Sequence, residues 1–273
     1  MSTATVIPAK AGTGPVTLPR VVHSEWIKFR TLRSSYFTLL AAVVFMIGFG
    51  LLACYGAINH LDHPDLHDRA FSIDAADRSL RGFEAAQLAI GVLGVLVVSG
   101  EYSTGMIRAS LSAVPRRLPV LWAKAAVFAA VTLAITAVTA FIAFFGGQAI
   151  LASHSVQTTL SAPGVTRTVL GTALYLTAVG LLSVGIGALI RNTAGGIAAV
   201  FGLLLVLPGL VDVLPASWSA NIGPYLPAAA GKAVATLHAD PGTLAPWTGF
   251  GVMGCYVAAA LIGAAVVLKR RDA

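Results

Sequence analysis

Residues 36–58 read "YFTLLAAVVFMIGFGLLACYGAI", without a charged side chain. A helix of this length spans about 35 Å at roughly 1.5 Å per residue. The hydrocarbon core of a bilayer is about 30 Å thick, and only a helix satisfies its own backbone polar groups there. The stretch therefore reads as a membrane crossing, and the rest of the chain repeats the pattern. Five more runs qualify: 82–99, with Glu84 at its edge; 118–151, with Lys124 in its opening turns; 168–190; 193–211; and 247–268.

Composition agrees with these runs. Of 273 residues, 57% are hydrophobic and only 11% charged, where a soluble domain carries about 25% charged residues. So little charge cannot cover a water-exposed surface, whereas lipid needs no such cover. No solenoid-like repeat of about 40 residues is present. The expectation is an all-α integral membrane protein with six transmembrane helices, forming one domain over residues 19–273. Residues 1–18 hold Pro8 and Pro15 but no apolar core, which predicts a disordered tail and not a cleaved signal peptide.

Six crossings put both termini on one side. That side carries Lys10, Arg20, Lys28, Arg30, Arg33, Arg108, Arg116, Arg117, Lys124, Arg191, Lys269, Arg270 and Arg271; the other carries Arg69, Arg78, Arg81, Arg167 and Lys232. The bias predicts cytoplasmic termini in a multi-pass protein of the cytoplasmic membrane. The net charge of +7 has the same origin. It does not predict nucleic-acid binding, which wants a basic face on a soluble domain. Cys54 and Cys255 fall in apolar spans and read as buried inert thiols.

Two segments outside the spans are informative. Residues 20–37, "RVVHSEWIKFRTLRSSYF", were phased at about 100° per residue. Val21, Val22, Trp26, Phe29, Leu32 and Tyr36 share one face, and Arg20, His23, Ser24, Lys28, Arg30 and Thr31 the other, with Glu25 the exception on the apolar side. A basic amphipathic helix of this kind lies in the membrane interface; the alternative is a plain extension of the first span. The second segment, residues 99–117, reads "SGEYSTGMIRASLSAVPRR". It has room for about three helical turns before Pro115 marks the restart of helix. Tyr102, Met106, Ala109 and Ala113 line one strip, while an ordinary charged loop stays open as the bland reading.

The pattern E-Y-x-x-G-x-I-R-x-x-L-x-x-x-P-R-R, given by Glu101, Tyr102, Gly105, Ile107, Arg108, Leu111, Pro115, Arg116 and Arg117, resembles the link between the second and third spans of ABC transporter permeases of the type-2 exporter class. "SEWIKFRTLRS", residues 24–34, is similar to that family's interfacial helix. Met106 departs from the threonine the family often has after the glycine. The resemblance implies that the link is a cytoplasmic coupling helix docked on a separate ATP-binding subunit, which binds ATP and Mg, in a complex with two permease copies. Tyr102, Met106 and Ile107 would then supply apolar docking contacts, and Arg108, Arg116 and Arg117 charged ones. Glu101, at the lipid boundary, would pair with an arginine such as Arg30 or Arg33, or else sit at a solvated helix end. In the interfacial helix the residues singled out are Glu25, Trp26, Phe29, Arg30 and Arg33.

ATP chemistry is not expected in this chain. A phosphate-cradling loop needs G-x-x-x-x-G-K-[ST], but Gly231 and Lys232 have Leu226 and Ala233 at the flanking positions. HExxH and GxSxG patterns are absent, so no catalytic residue is assigned. His60, His63 and His67 sit among acids in residues 59–79, but Pro64 interrupts a helical ligand set, and no metal site is expected. Residues 215–246 are too proline-broken to cross the membrane, and 227–237 read as a short external helix that dips in and out. The ionisable residues within the spans, Glu84, Lys124 and Asp212, are peripheral, whereas a secondary transporter buries charge near the midplane. The expectation is a permease subunit of an ATP-driven exporter with an amphipathic, drug-like or lipid-like substrate. The alternatives are a secondary transporter or channel, and more distantly a membrane-embedded enzyme.

Overall fold

A computed structural model describes residues 17–62, 74–103, 105, 118–238 and 242–271. Among them every regular element is helical: α1 (Leu18–Thr31), α2 (Arg33–Asp62), α3 (Ala75–Leu80), α4 (Phe83–Ser103), α5 (Leu118–Leu151), α6 (Val165–Ile190), α7 (Thr193–Phe201), α8 (Leu207–Asp212), α9 (Ala216–Ile222), α10 (Pro227–Lys232) and α11 (Pro246–Arg271). Six segments are long and apolar enough to cross a membrane: Arg33–His60, Ala75–Tyr102, Leu118–His154, Val165–Ile190, Thr193–Asp212 and Pro246–Arg270. The protein is a multi-pass helical membrane protein by this measure.

The single residue Leu32 separates α1 from α2. Its extended backbone (φ −76°, ψ 115°) stops the helix, and its N–H donates to the Lys28 carbonyl as a C-cap. So α1 is a separate helix and not an extension of the first span. It packs chiefly against the opening turns of α5, where Val21 meets Val120 and Ala123. At 34 residues, α5 is about 50 Å long. It overreaches the hydrocarbon thickness, and its first turns stand beside α1.

The hub is α6, which packs against α4, α5, α7 and α11. Small residues allow the close approach. A methyl at Gly94 of α4 would stand 2.5 Å from the Gly180 carbonyl oxygen, and one at Gly185 would stand 2.7 Å from Ala260 of α11. Backbones in such contact gain dispersion that lipid-facing leucines do not supply. Thr168, Thr172, Thr177 and Ser183 are buried on α6, and each donates its hydroxyl to the carbonyl four residues earlier. The fifth segment joins α7 to α8 through a π-helical turn at Gly202–Val206, ahead of Pro208.

Both described termini lie at one end of the bundle, called the terminal end below, with the exit of α4, the start of α5 and the end of α6. At the opposite end, α10 with the turn after it is buried against α6 and α11. Arg167 fixes that turn by donating to the carbonyls of Val234 (3.2 Å), Thr236 (3.0 Å) and Leu237 (3.1 Å). The Leu237 N–H donates to Asp77 Oδ1 at 2.9 Å. The thiols differ from expectation: both cysteines are free, but only Cys54 is buried, and Cys255 is exposed on the outer face of α11.

Candidate functional site

Four charged side chains converge at the terminal end. Glu25 and Lys28 come from α1, Glu101 from the last turn of α4, and Lys124 from the second turn of α5. Lys124 Nζ donates to Glu25 Oε2 at 2.6 Å and to Glu101 Oε1 at 2.9 Å. Lys28 Nζ donates to Glu25 Oε1 at 2.7 Å and to Glu101 Oε1 at 3.1 Å. Glu25, Glu101 and Lys124 are 3%, 5% and 6% exposed. Isolated charges buried to this degree would be very costly. Two carboxylates against two ammoniums leave the cluster formally neutral, which makes burial tolerable.

Helix geometry explains the convergence. Glu25 and Lys28 are three residues apart and share a face of α1, and α1 lies against α5, bringing Glu25 to Lys124. Burial alone would lower the pKa of Lys28; the hydrogen bond to Glu25 and the charges of Glu101 and Glu25 outweigh it. The ammonium ends above its ordinary value of 10.5.

Beside the cluster lies a cavity of about 280 Å³, bounded by Glu101, Lys28 and Lys124 on its polar side and by Phe29, Leu96, Val97 and Val127 on its apolar side. Glu101 is unevenly used. Its Oε1 accepts from both lysines, whereas Oε2 is buried and accepts no hydrogen bond among the described residues.

The other expected site residues divide. Phe29 is half-buried and meets Phe128 edge-on, with ring centroids 6.3 Å apart. Trp26, Arg30 and Arg33 are exposed. The expected pairing of Glu101 with Arg30 or Arg33 is corrected: Lys28 and Lys124 are its partners, and the solvated-end alternative fails with it. Amphipathic phasing placed Lys28 on the outer face because it treats every charge as water-seeking. The pairing lets a charge face inward.

Tyr102 is half-buried under the Arg191 guanidinium, 5.1 Å from the ring centroid. Gly105 has φ +72°, a left-handed conformation that glycine adopts without strain, and its N–H donates to the Tyr102 carbonyl at 3.3 Å. Glu101 and Tyr102 therefore belong to α4 and not to a separate helix of the link. Met106, Ile107, Arg108, Arg116 and Arg117 lie outside the described residues, as do His63 and His67.

Lys28 and Lys124 are the functional candidates that sequence reasoning passed over. A signal existed: one acid on an apolar helix face and one lysine inside an apolar span are each misplaced alone and complementary together. No protein-family model matches the sequence, and no curated protein does.

Proposed function

We propose that this chain is the permease subunit of an ATP-driven exporter of the ABC type-2 class, with both termini and the link at residues 104–117 in the cytoplasm. A separate subunit hydrolyses ATP, and a second permease copy completes the assembly. The observation that carries this reading is the place of Glu101. It stands at the exit of α4, immediately before the link, and is ion-paired to α1 and α5 at once. A push delivered to the link reaches three helices through one carboxylate. Passive anchoring needs no such junction.

Charge placement supports the same reading. In α4 no ionisable group falls between Glu84 and Glu101, and in α5 none falls between Lys124 and Leu151. An ion-coupled transporter needs charge at the midplane; ATP-driven export of an amphipathic substrate does not. The basic residues gathered at the terminal end favour its cytoplasmic side.

Ile107→Asp tests the proposal better than a change at Tyr102, whose ring already serves Arg191 inside the protein. An unpaired charge in a closed docking contact is costly. The variant should reach the membrane in normal amount, fail to retain the ATP-binding subunit on purification, and lose substrate-stimulated hydrolysis. Retention at wild-type level would leave residues 104–117 a simple connection.

A further inference from the structure

We infer that the cavity beside Glu101 binds a protonated primary amine carried on an apolar chain, either a lipid headgroup or a free amphiphile. The inference goes beyond the exporter reading and stands on the cluster geometry alone. Glu101 Oε2 is a buried carboxylate oxygen with no hydrogen-bond partner among the described residues. Leaving such an oxygen without a donor is costly, so the site calls for an N–H or O–H.

Charge favours a cation as the donor. The four paired side chains cancel formally, so an incoming ammonium does not meet a net positive cluster. The backbone at the end of α4 carries about half a negative charge, and its last turn holds no basic residue. The rest of the cavity selects the body of the ligand. Phe29, Leu32, Leu96, Val97 and Val127 make an apolar wall, and Lys28, half-buried, borders the polar side. About 280 Å³ accommodates a headgroup and the first methylenes of a chain. A quaternary ammonium brings the charge but no N–H, so discrimination between the two identifies the bond to Glu101.

Decylamine and decyltrimethylammonium should be titrated calorimetrically into the purified full chain in neutral detergent micelles. Their affinity ratio removes the partition into micelles that both share. The wild type should prefer decylamine by at least about tenfold, the worth of one charge-assisted hydrogen bond. Glu101→Gln should abolish the preference. Gly100→Phe should abolish it too, because Gly100 lines the cavity and a Cβ there meets nothing within 4 Å; this variant fills the space without touching the ion pairs. Lipid extracted from the purified protein identifies the source: phosphatidylethanolamine kept by the wild type and lost by Gly100→Phe supports a lipid headgroup, and preference for decylamine without retained lipid supports a free amine. Equal affinity for the two amphiphiles overturns the inference, as does a preference that survives Gly100→Phe. Should Glu101→Gln fail to fold, the wild-type ratio and Gly100→Phe decide it.

Discussion

Replacing Lys124 with methionine keeps the length of the side chain and removes its ammonium. Nζ is 2.6 Å from one carboxylate and 2.9 Å from the other, so the variant leaves Glu25 and Glu101 facing each other with Lys28 between them. Lys28 already bonds both carboxylates and has no second charge to give. Breaking a buried ion pair from one side costs about 3–5 kcal/mol, because the remaining charge stays buried and uncompensated. At roughly 2–4 °C per kcal/mol for a protein of this size, Lys124→Met should melt about 10 °C below wild type in the same detergent.

A second change separates lost charge balance from lost contact. Glu25→Gln together with Lys124→Met restores neutrality, since Lys28 and Glu101 remain paired at 3.1 Å. The double variant should be more stable than Lys124→Met alone although it removes one more charged group. The pair of Lys232 and Glu84 is a control: it is 3.4 Å long with side chains 31% and 49% exposed, and Lys232→Gln should cost no more than about 1 kcal/mol. If Lys124→Met melts with Lys232→Gln, or the double variant is the least stable of the three, the neutral-cluster argument is wrong.

Arg167→Met removes three bonds to the carbonyls of Val234, Thr236 and Leu237. We expect a loss of about 2–4 kcal/mol and faster labelling of a cysteine placed at Thr236, with labelling at the terminal end unchanged. Topology is tested in a variant lacking Cys54 and Cys255: an impermeant thiol reagent applied outside should label Ser161→Cys and spare Ser112→Cys, and the reverse would invert the orientation.

The apolar spans were legible because hydropathy reads burial in lipid directly, and α5 runs over the 118–151 expected. Ends were less legible where helix outlasts hydropathy. The first span was read from residue 36, but α2 starts at Arg33, since a charged side chain at a membrane edge does not interrupt backbone hydrogen bonding. The fourth was read from 168, yet the left-handed Gly164 starts α6 at Val165. The π-turn at Gly202–Val206 leaves no trace in a hydropathy profile, because all five residues are apolar or glycine. In the candidate site, Glu25 was noticed as an exception and its meaning missed. A single helical wheel holds no information about α5, and Lys124 is its counterpart only after α1 packs there.

The two ends of the bundle are built differently, and this bears on which end moves. At the opposite end, Arg167 and Asp77 bond backbone groups of residues 234–237, so a shift there must break main-chain contacts. At the terminal end the junction of α1, α4 and α5 is carried by side-chain ion pairs between long, rotatable groups. Ion pairs of this kind re-form after a displacement of a few ångströms, and the break at Leu32 lets α1 follow α4 without carrying α2 with it. Under the proposed function, ATP turnover by the partner subunit should therefore change distances at the terminal end and leave the opposite end fixed. Spin labels at the exposed Ile27 and Ile190 report the first, and labels at the exposed Ser161 and Trp218 report the second. A distance change on nucleotide addition confined to the Ser161–Trp218 pair would refute this assignment, because the backbone-anchored end would then be the one that gives way.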